Sequence, residues 1–356
     1  MTMASHQANG FAQAQAHIEK AIERGEIDGA GLAVVHEGRL AIEWYAGEAA
    51  PGVPSSSRVL WPLAAISKLY TAATIMALVE RGTLTLSLPV CSLLPELAGE
   101  GREAITLRHL LTHTSGLLYE PPDMEALLLA QQPLDELVDA AFTSPLQFPP
   151  GSQFAYSDLG YAVAGLVAEA ATGQRFPTLL RELILEPAGL RETFFPLPPE
   201  AAPRLARVVG ALGEGTPGHM YGASYGLRLG HPAWGVVATL PDLVRFGLLF
   251  TPEASSRVLS AATICTMTTD QVRRFFRPDL PSWGLGFAIG QGSFGEGDLF
   301  SSESFGLSGA TGCALWYDPR ARVLIAFVSN RHMNADRLGF TRRLSAVLNT
   351  VMAAFS

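Results

Sequence analysis

Three short stretches of this 356-residue chain place chemically useful side chains in apolar surroundings. The first is Ala65-Ile66-Ser67-Lys68, inside the run Leu63-Ala64-Ala65-Ile66-Ser67-Lys68-Leu69-Tyr70-Thr71-Ala72, where a lysine interrupts mostly apolar residues. The second is Tyr156-Ser157-Asp158, within Phe154-Ala155-Tyr156-Ser157-Asp158-Leu159-Gly160-Tyr161, and the third is Leu307-Ser308-Gly309-Ala310-Thr311-Gly312. A lysine amine and a tyrosine phenol can take a proton from a nucleophile and return it. A glycine in a strand leaves room for a substrate to reach backbone N–H donors. Acyl transfer of the serine-hydrolase kind needs these parts and, in addition, a nucleophilic hydroxyl.

The stretches resemble, in order, the motifs of the superfamily of serine β-lactamases, penicillin-binding proteins and family VIII esterases, closest to class C β-lactamases and the esterases. Ala65-Ile66-Ser67-Lys68 is similar to the S-x-x-K motif, in which the nucleophile opens a long helix and the lysine lies one turn on along the same face. Lys68 matches the family lysine, so Ala65 stands where the serine belongs. Ser67 is no substitute, because its lysine would have to be residue 70, which is Tyr70, and helix residues two apart face different ways. Tyr156-Ser157-Asp158 resembles Y-x-N, which implies that Tyr156 is the phenol that handles the nucleophile's proton near the lysine ammonium. Asp158 departs from the usual asparagine, and a carboxylate there would pair with Lys68 and hold it protonated.

Leu307-Ser308-Gly309 resembles the K-T-G strand motif, or H-T/S-G in esterase-like members. The resemblance implies that the amide of Ala310 joins the amide of residue 65 as the oxyanion hole, and that Asp158, Leu307, Ser308 and Gly309 line the substrate. Leu307 replaces a basic residue and cannot bind the carboxylate of penicillins or D-Ala-D-Ala termini, which turns the expectation from lactams towards esters. Trp234, in Ala233-Trp234-Gly235, falls where relatives often carry small residues and would either narrow the acyl pocket or simply pack in the core; Tyr45 and Trp61 are read as core aromatics. Two further stretches are similar to family segments: Thr106-Leu107-Arg108-His109-Leu110-Leu111-Thr112-His113-Thr114-Ser115-Gly116-Leu117, and Trp283-Gly284-Leu285-Gly286-Phe287. The resemblance therefore covers nearly the whole chain. It implies a serine hydrolase or acyltransferase working on an ester, thioester or amide through an acyl-enzyme, without cofactor. Ala65 leaves two accounts open: an inactivated form of an enzyme with serine at 65, which the retained Lys68 and Tyr156 favour, or a natural non-catalytic ligand-binding protein. β-Lactamase or D-aminopeptidase activity is the further alternative.

The elements that must position these residues show in the hydrophobic periodicity. Phe11, Ala14, Ile18 and Ile22 predict a first amphipathic helix over 11–24, stopped by Gly25. Residues 29–40 and 41–49 predict an antiparallel hairpin turning at Glu37-Gly38. A strong helix is predicted over Leu63–Arg81, with Gly82 beyond its end. Helical segments at 107–113, 158–173, 176–190 and 240–250 are separated by loops rich in Pro and Gly. Strand-like runs at 283–292, 300–319 and 322–330 precede a closing helix at 340–355. The expected class is α+β, β-lactamase/transpeptidase-like: an antiparallel sheet flanked by N- and C-terminal helices, plus a mostly helical insertion. The expected division gives residues 1–89 and 281–356 to the sheet domain and 90–280 to the helical one, with the active-site cleft between them.

Composition excludes several other classes. The chain is 48% hydrophobic and 16% charged, with a net charge of −8, and its scattered charges offer no footprint for a nucleic acid. No run approaches 18 uninterrupted apolar residues, and no basic and apolar leader pattern opens the sequence, so the expected partner is a small acyl substrate in the cytoplasm, without membrane or nucleic acid. Cys91, Cys265 and Cys313 follow no metal or redox spacing and are expected to be reduced core residues. His109 and His113 stand four apart, a spacing able to grip a metal, but no third ligand accompanies them, and a structural role is expected for both.

Overall fold

The two apolar runs after residue 28 pair as a hairpin in a computed structural model of the chain, which describes residues 3–254, 258–290 and 297–355. Strands Gly29–His36 and Arg39–Ala50 run antiparallel around Glu37-Gly38. Both turn residues have positive φ, 51° and 75°, as a two-residue turn matched to strand twist requires. Gly29–His36 is buried along nearly its whole length; its continuous Leu/Ala/Val run, rather than an alternation, suits a strand covered on both faces.

The other neighbour of Gly29–His36 is Val323–Ser329, from almost the opposite end of the chain, in register from Ala30 opposite Ser329 to His36 opposite Val323. The seven-stranded antiparallel sheet has the order Val53–Pro54, Arg39–Ala50, Gly29–His36, Val323–Ser329, Cys313–Asp318, Phe305–Gly309, Ala288–Ile289. Both chain ends thus build one sheet. The run over 300–319 divides into two strands joined at Ala310-Thr311-Gly312, where Gly312 adopts φ 89°. Of the run over 283–292 the structure keeps Ala288–Ile289 as strand; Gln291 and Gly292 lie outside the described residues.

The terminal helices, Met3–Glu23 and Arg337–Ala353, cover one face. They pack so closely that a Cβ on Gly10 would lie 2.4 Å from the Ala354 Cβ. The other face is covered by the helix Leu240–Leu248, where a Cβ on Gly247 would meet Leu315 at 2.8 Å and Leu324 at 3.0 Å. One element of the segment 90–280 is therefore a layer on the sheet. The rest of that segment is mostly short helices, with Asp158–Thr172 the longest of those described. A three-stranded sheet links Trp61–Pro62, Val237–Ala238 and Thr193–Phe194. The helix predicted from Leu63 begins as a 3₁₀ turn, Ala64–Ile66, and continues as Ser67–Glu80, buried on every side from Ser67 to Leu78, as a helix without a polar stripe must be. Among the described residues no helix is long and apolar enough to cross a membrane.

Candidate active site

Between Val59 and Leu78 every residue is buried except Ala65, which is half-buried. The chain reaches this point through a strained step, because Ala64 has φ 48°, a left-handed value uncommon for a residue with a side chain. The step is clamped from two sides. Leu63 N–H donates to the Val236 carbonyl at 3.0 Å, and the Val236 N–H donates to Ser67 Oγ at 2.9 Å. Ser67 is thus fully buried and committed to a backbone partner, not turned to a cleft. On the other side, Thr311 Oγ1 donates to the Pro62 carbonyl at 2.7 Å, and a Cβ on Gly309 would stand 2.2 Å from the Leu63 oxygen. Only glycine lets the Phe305–Gly309 strand approach residues 62–64 this closely. Of residues 304–318 only Ser308 and Ala310 are not buried, so the strand turns these two positions outward beside the Ala65 step.

Lys68 lies on the first turn of its helix with 1% of its surface exposed. Its ammonium meets Asp158 Oδ1 at 2.7 Å and donates to the Ala233 carbonyl at 3.2 Å. It also sits 4.7 Å from the ring centroid of Tyr156 and 5.7 Å from that of Tyr161. Burial drives the Lys68 pKa down and that of Asp158 up, while the contact between them opposes both shifts. Asp158 begins the helix Asp158–Thr172, whose N-cap Ser157 accepts from Gly160 N–H at 2.9 Å and donates to the Leu118 carbonyl at 2.6 Å. Tyr156 precedes that cap and stacks on His113, with ring centroids 4.1 Å apart. Lys68, Tyr156 and Asp158 therefore converge, Lys68 lying three residues on from the half-buried Ala65.

The remaining predicted positions divide. Trp234 is 1% exposed and stacks on His231, 4.7 Å and 10° between the rings, with Tyr221 edge-on at 6.0 Å. It lies one residue from the carbonyl that Lys68 grips. Leu307 is buried opposite Leu315 as part of the core, so the strand carries no cation at this position, and Ser308 and Ala310 are its partly exposed residues. Ser308 is half-buried and its Oγ accepts from Trp316 Nε1 at 3.2 Å. His109 and His113 turn to different partners: His109 closes a capping box with Thr106 and stacks on Phe276, whereas His113 joins the Tyr156 cluster. Among the described residues no group of three or more His, Cys, Asp or Glu side chains is placed to hold a metal.

Several neighbours of the site, His113 apart, carry no pattern in the sequence. The half-buried Glu120 follows Tyr119, whose carbonyl accepts from the Asp158 N–H at 2.8 Å. Burial and the Asp158 charge raise its pKa to about 7. Tyr221 is buried, and burial followed by the Asp158 and Glu120 charges pushes its phenol pKa well up. Burial and the Lys68 charge push His113 well below the usual imidazole range and His231 down to about 3, so both rings stay neutral.

Compared with known proteins, the chain matches the family model described as Beta-lactamase over residues 14–348. It is similar to esterase EstB of Burkholderia gladioli, 33% identical over 201 residues, covering 52% of this chain and 51% of the esterase. The matched stretch is thus about half the length of that relative. It is also similar to penicillin-binding protein 4 of Amycolatopsis lactamdurans, 29% identical over 321 residues, covering 85% of this chain and 81% of that one. Among solved structures, EstCE1, a hydrolase with promiscuous acyltransferase activity, superposes with a TM-score of 0.78 at 20% identity over 97% of this chain and 99% of that one. A penicillin-binding protein homologue from Caulobacter crescentus gives 0.76 at 26% identity over 97% of each.

Proposed function

Because the chain belongs to the beta-lactamase family and has its fold, we propose that it is an acyl-transfer scaffold for an ester, thioester or amide in which Ala65 occupies the place of the nucleophile. The observation that carries this is the position of Ala65, the one residue between Val59 and Leu78 that is not fully buried, on the turn that leads to Lys68 and its partner Asp158, with Tyr156 beside them. Esterase EstB and the acyltransferase activity of EstCE1 support esters as the first substrates to try, and Leu307 supports them over ligands that need a cation for a carboxylate.

With serine at 65, the hydroxyl attacks the carbonyl carbon and its proton passes to the Tyr156 phenolate. The carbonyl electron pair moves onto oxygen, held by the N–H groups of residues 65 and 310. Collapse expels the leaving group, which takes the proton from Tyr156, and leaves the acyl group on residue 65 for water or another acceptor. Lys68 acts as a fixed ammonium close to the phenol, because its contact with Asp158 favours the protonated form. Ala65 has no proton or lone pair for the first step, so the chain as it stands binds its acyl ligand without turning it over. A cytoplasmic setting belongs to the same reading, supported by the free thiols of Cys91, Cys265 and Cys313, of which Cys313 alone is the buried core residue expected, Cys91 being half-buried and Cys265 exposed.

The test is Ala65→Ser beside the Ala65 chain, each mixed with p-nitrophenyl esters of short and long acyl chains. The expected result is a burst of nitrophenol and an acylated peptide containing residue 65 for the serine form alone. Nitrocefin in parallel separates lactam from ester preference. Absence of acylation at 65 with every ester would reject the acyl-transfer reading.

A further inference from the structure

The sequence assigns His113 only a structural place, yet its surroundings are more specific than packing requires. His113 has φ 59°, a left-handed value carried by a fully buried imidazole. Strain of this kind persists where the surroundings over-determine a residue, often at a functional site. Its Nδ1 accepts from the Ser157 N–H at 3.0 Å, and its carbonyl accepts from the Ala155 N–H at 2.9 Å. The segment bearing Tyr156 is thereby bound to His113 on both sides of the tyrosine. With Nδ1 an acceptor, the ring proton is on Nε2. The imidazole then lies against the Tyr156 ring at 4.1 Å and 26°, with Trp283 edge-on at 5.0 Å.

We propose that the His113 imidazole is a positioning residue, a flat platform that aims the Tyr156 phenol at position 65. This rests on the acyl-transfer reading and adds to it. The backbone bond and the left-handed φ do not by themselves call for an aromatic ring: asparagine adopts this φ more readily than most residues and offers an amide oxygen to the same N–H. What asparagine lacks is the face on which Tyr156 lies. Burial and the neighbouring Lys68 charge keep the imidazole neutral, so the platform does not compete with the phenol for a proton.

Two substitutions separate positioning from structure. His113→Asn keeps the acceptor and suits the backbone but removes the ring; His113→Phe keeps a ring and removes the acceptor. A merely structural histidine tolerates asparagine and suffers from phenylalanine. In the Ala65→Ser background, a positioning histidine gives the opposite order in turnover: His113→Asn melts near the parent temperature yet loses kcat about tenfold to a hundredfold with KM changed less than about twofold, and His113→Phe recovers most of that loss per folded molecule. An Asn variant with unchanged kcat overturns the proposal.

A second measurement needs no activity. In the Ala65 chain, selectively labelled for NMR, the nuclear Overhauser contact between the Tyr156 ring and the Lys68 side chain is expected to survive His113→Phe and to vanish in His113→Asn. Its persistence in both variants would equally overturn the proposal. If Ala65→Ser fails to acylate, the acyl-transfer reading falls on that result alone, while this contact still decides whether His113 sets the Tyr156 orientation.

Discussion

Lys68 carries an ammonium into a helix with no exposed flank, and Asp158 at 2.7 Å and the Ala233 carbonyl at 3.2 Å are what meet it. Taking away one partner leaves the other charge buried without compensation, which typically costs about 3–5 kcal/mol. Asp158→Ala is therefore expected to lower the unfolding free energy by about that much in a urea titration, whereas the double variant Lys68→Met with Asp158→Leu loses markedly less. A double-variant loss equal to the sum of the losses of the two single variants would show that the pair is not energetically coupled. Glu120 tests the same field from outside the pair. Its carboxyl is raised from 4.5 to about 7 by burial and the Asp158 charge, so between those values the folded chain holds a proton that the unfolded chain has released. The stability this group contributes is complete below pH 4.5 and fades as pH rises through about 7. Glu120→Gln cannot titrate, so its melting temperature relative to the unsubstituted chain is expected to rise between about pH 5 and pH 8; an offset constant across that range would contradict the assignment.

Two elements meet beside Ala65: the turn that precedes the Ser67–Glu80 helix and the end of the Phe305–Gly309 strand. Gly309→Ala would put a Cβ 2.2 Å from the Leu63 oxygen, and backbone cannot yield as a side chain tip can. The expected cost is about 1–3 kcal/mol of stability. In the Ala65→Ser background the acylation burst slows about a hundredfold as the strand bearing residue 310 is pushed away; an unchanged burst would remove that strand from the oxyanion site. The presence of both elements is legible in the sequence, since a buried helix and apolar strands announce themselves by residue type and length. Their seam is not, because Gly309 and Ala64 are selected by a close approach between residues about 245 positions apart in sequence, and no local period records it. The same limit explains the neighbours the sequence leaves unmarked. Glu120 is a lone loop carboxylate until the Asp158 helix binds the carbonyl beside it, and His113 resembles any core histidine until Tyr156 lies on it. It also explains the segment over 300–319, whose apolar content predicts strand throughout although Ala310-Thr311-Gly312 must turn.

At the scale of the whole molecule, the strand that begins the sheet is completed by one that arrives almost 300 residues later, and the closing helix Arg337–Ala353 covers the face this pairing creates. Its buried side chains are Phe340, Leu344, Val347, Leu348, Val351 and Met352. At about 1.5–3 kcal/mol for each side chain, their loss is worth roughly 9–18 kcal/mol, as large as the roughly 5–15 kcal/mol by which a whole protein is usually stable. The helix is therefore a condition of folding and not a decoration on a finished sheet. Removing the chain from Arg337 onward is expected to abolish the cooperative melting transition and to expose apolar surface to the dye ANS, including the sheet face around Phe327. A truncated protein that still melts in one sharp step would mean that the sheet holds its register without its terminal cover. The pairing of Ala30 with Ser329 and its successors would then carry more of the stability than burial of that face suggests.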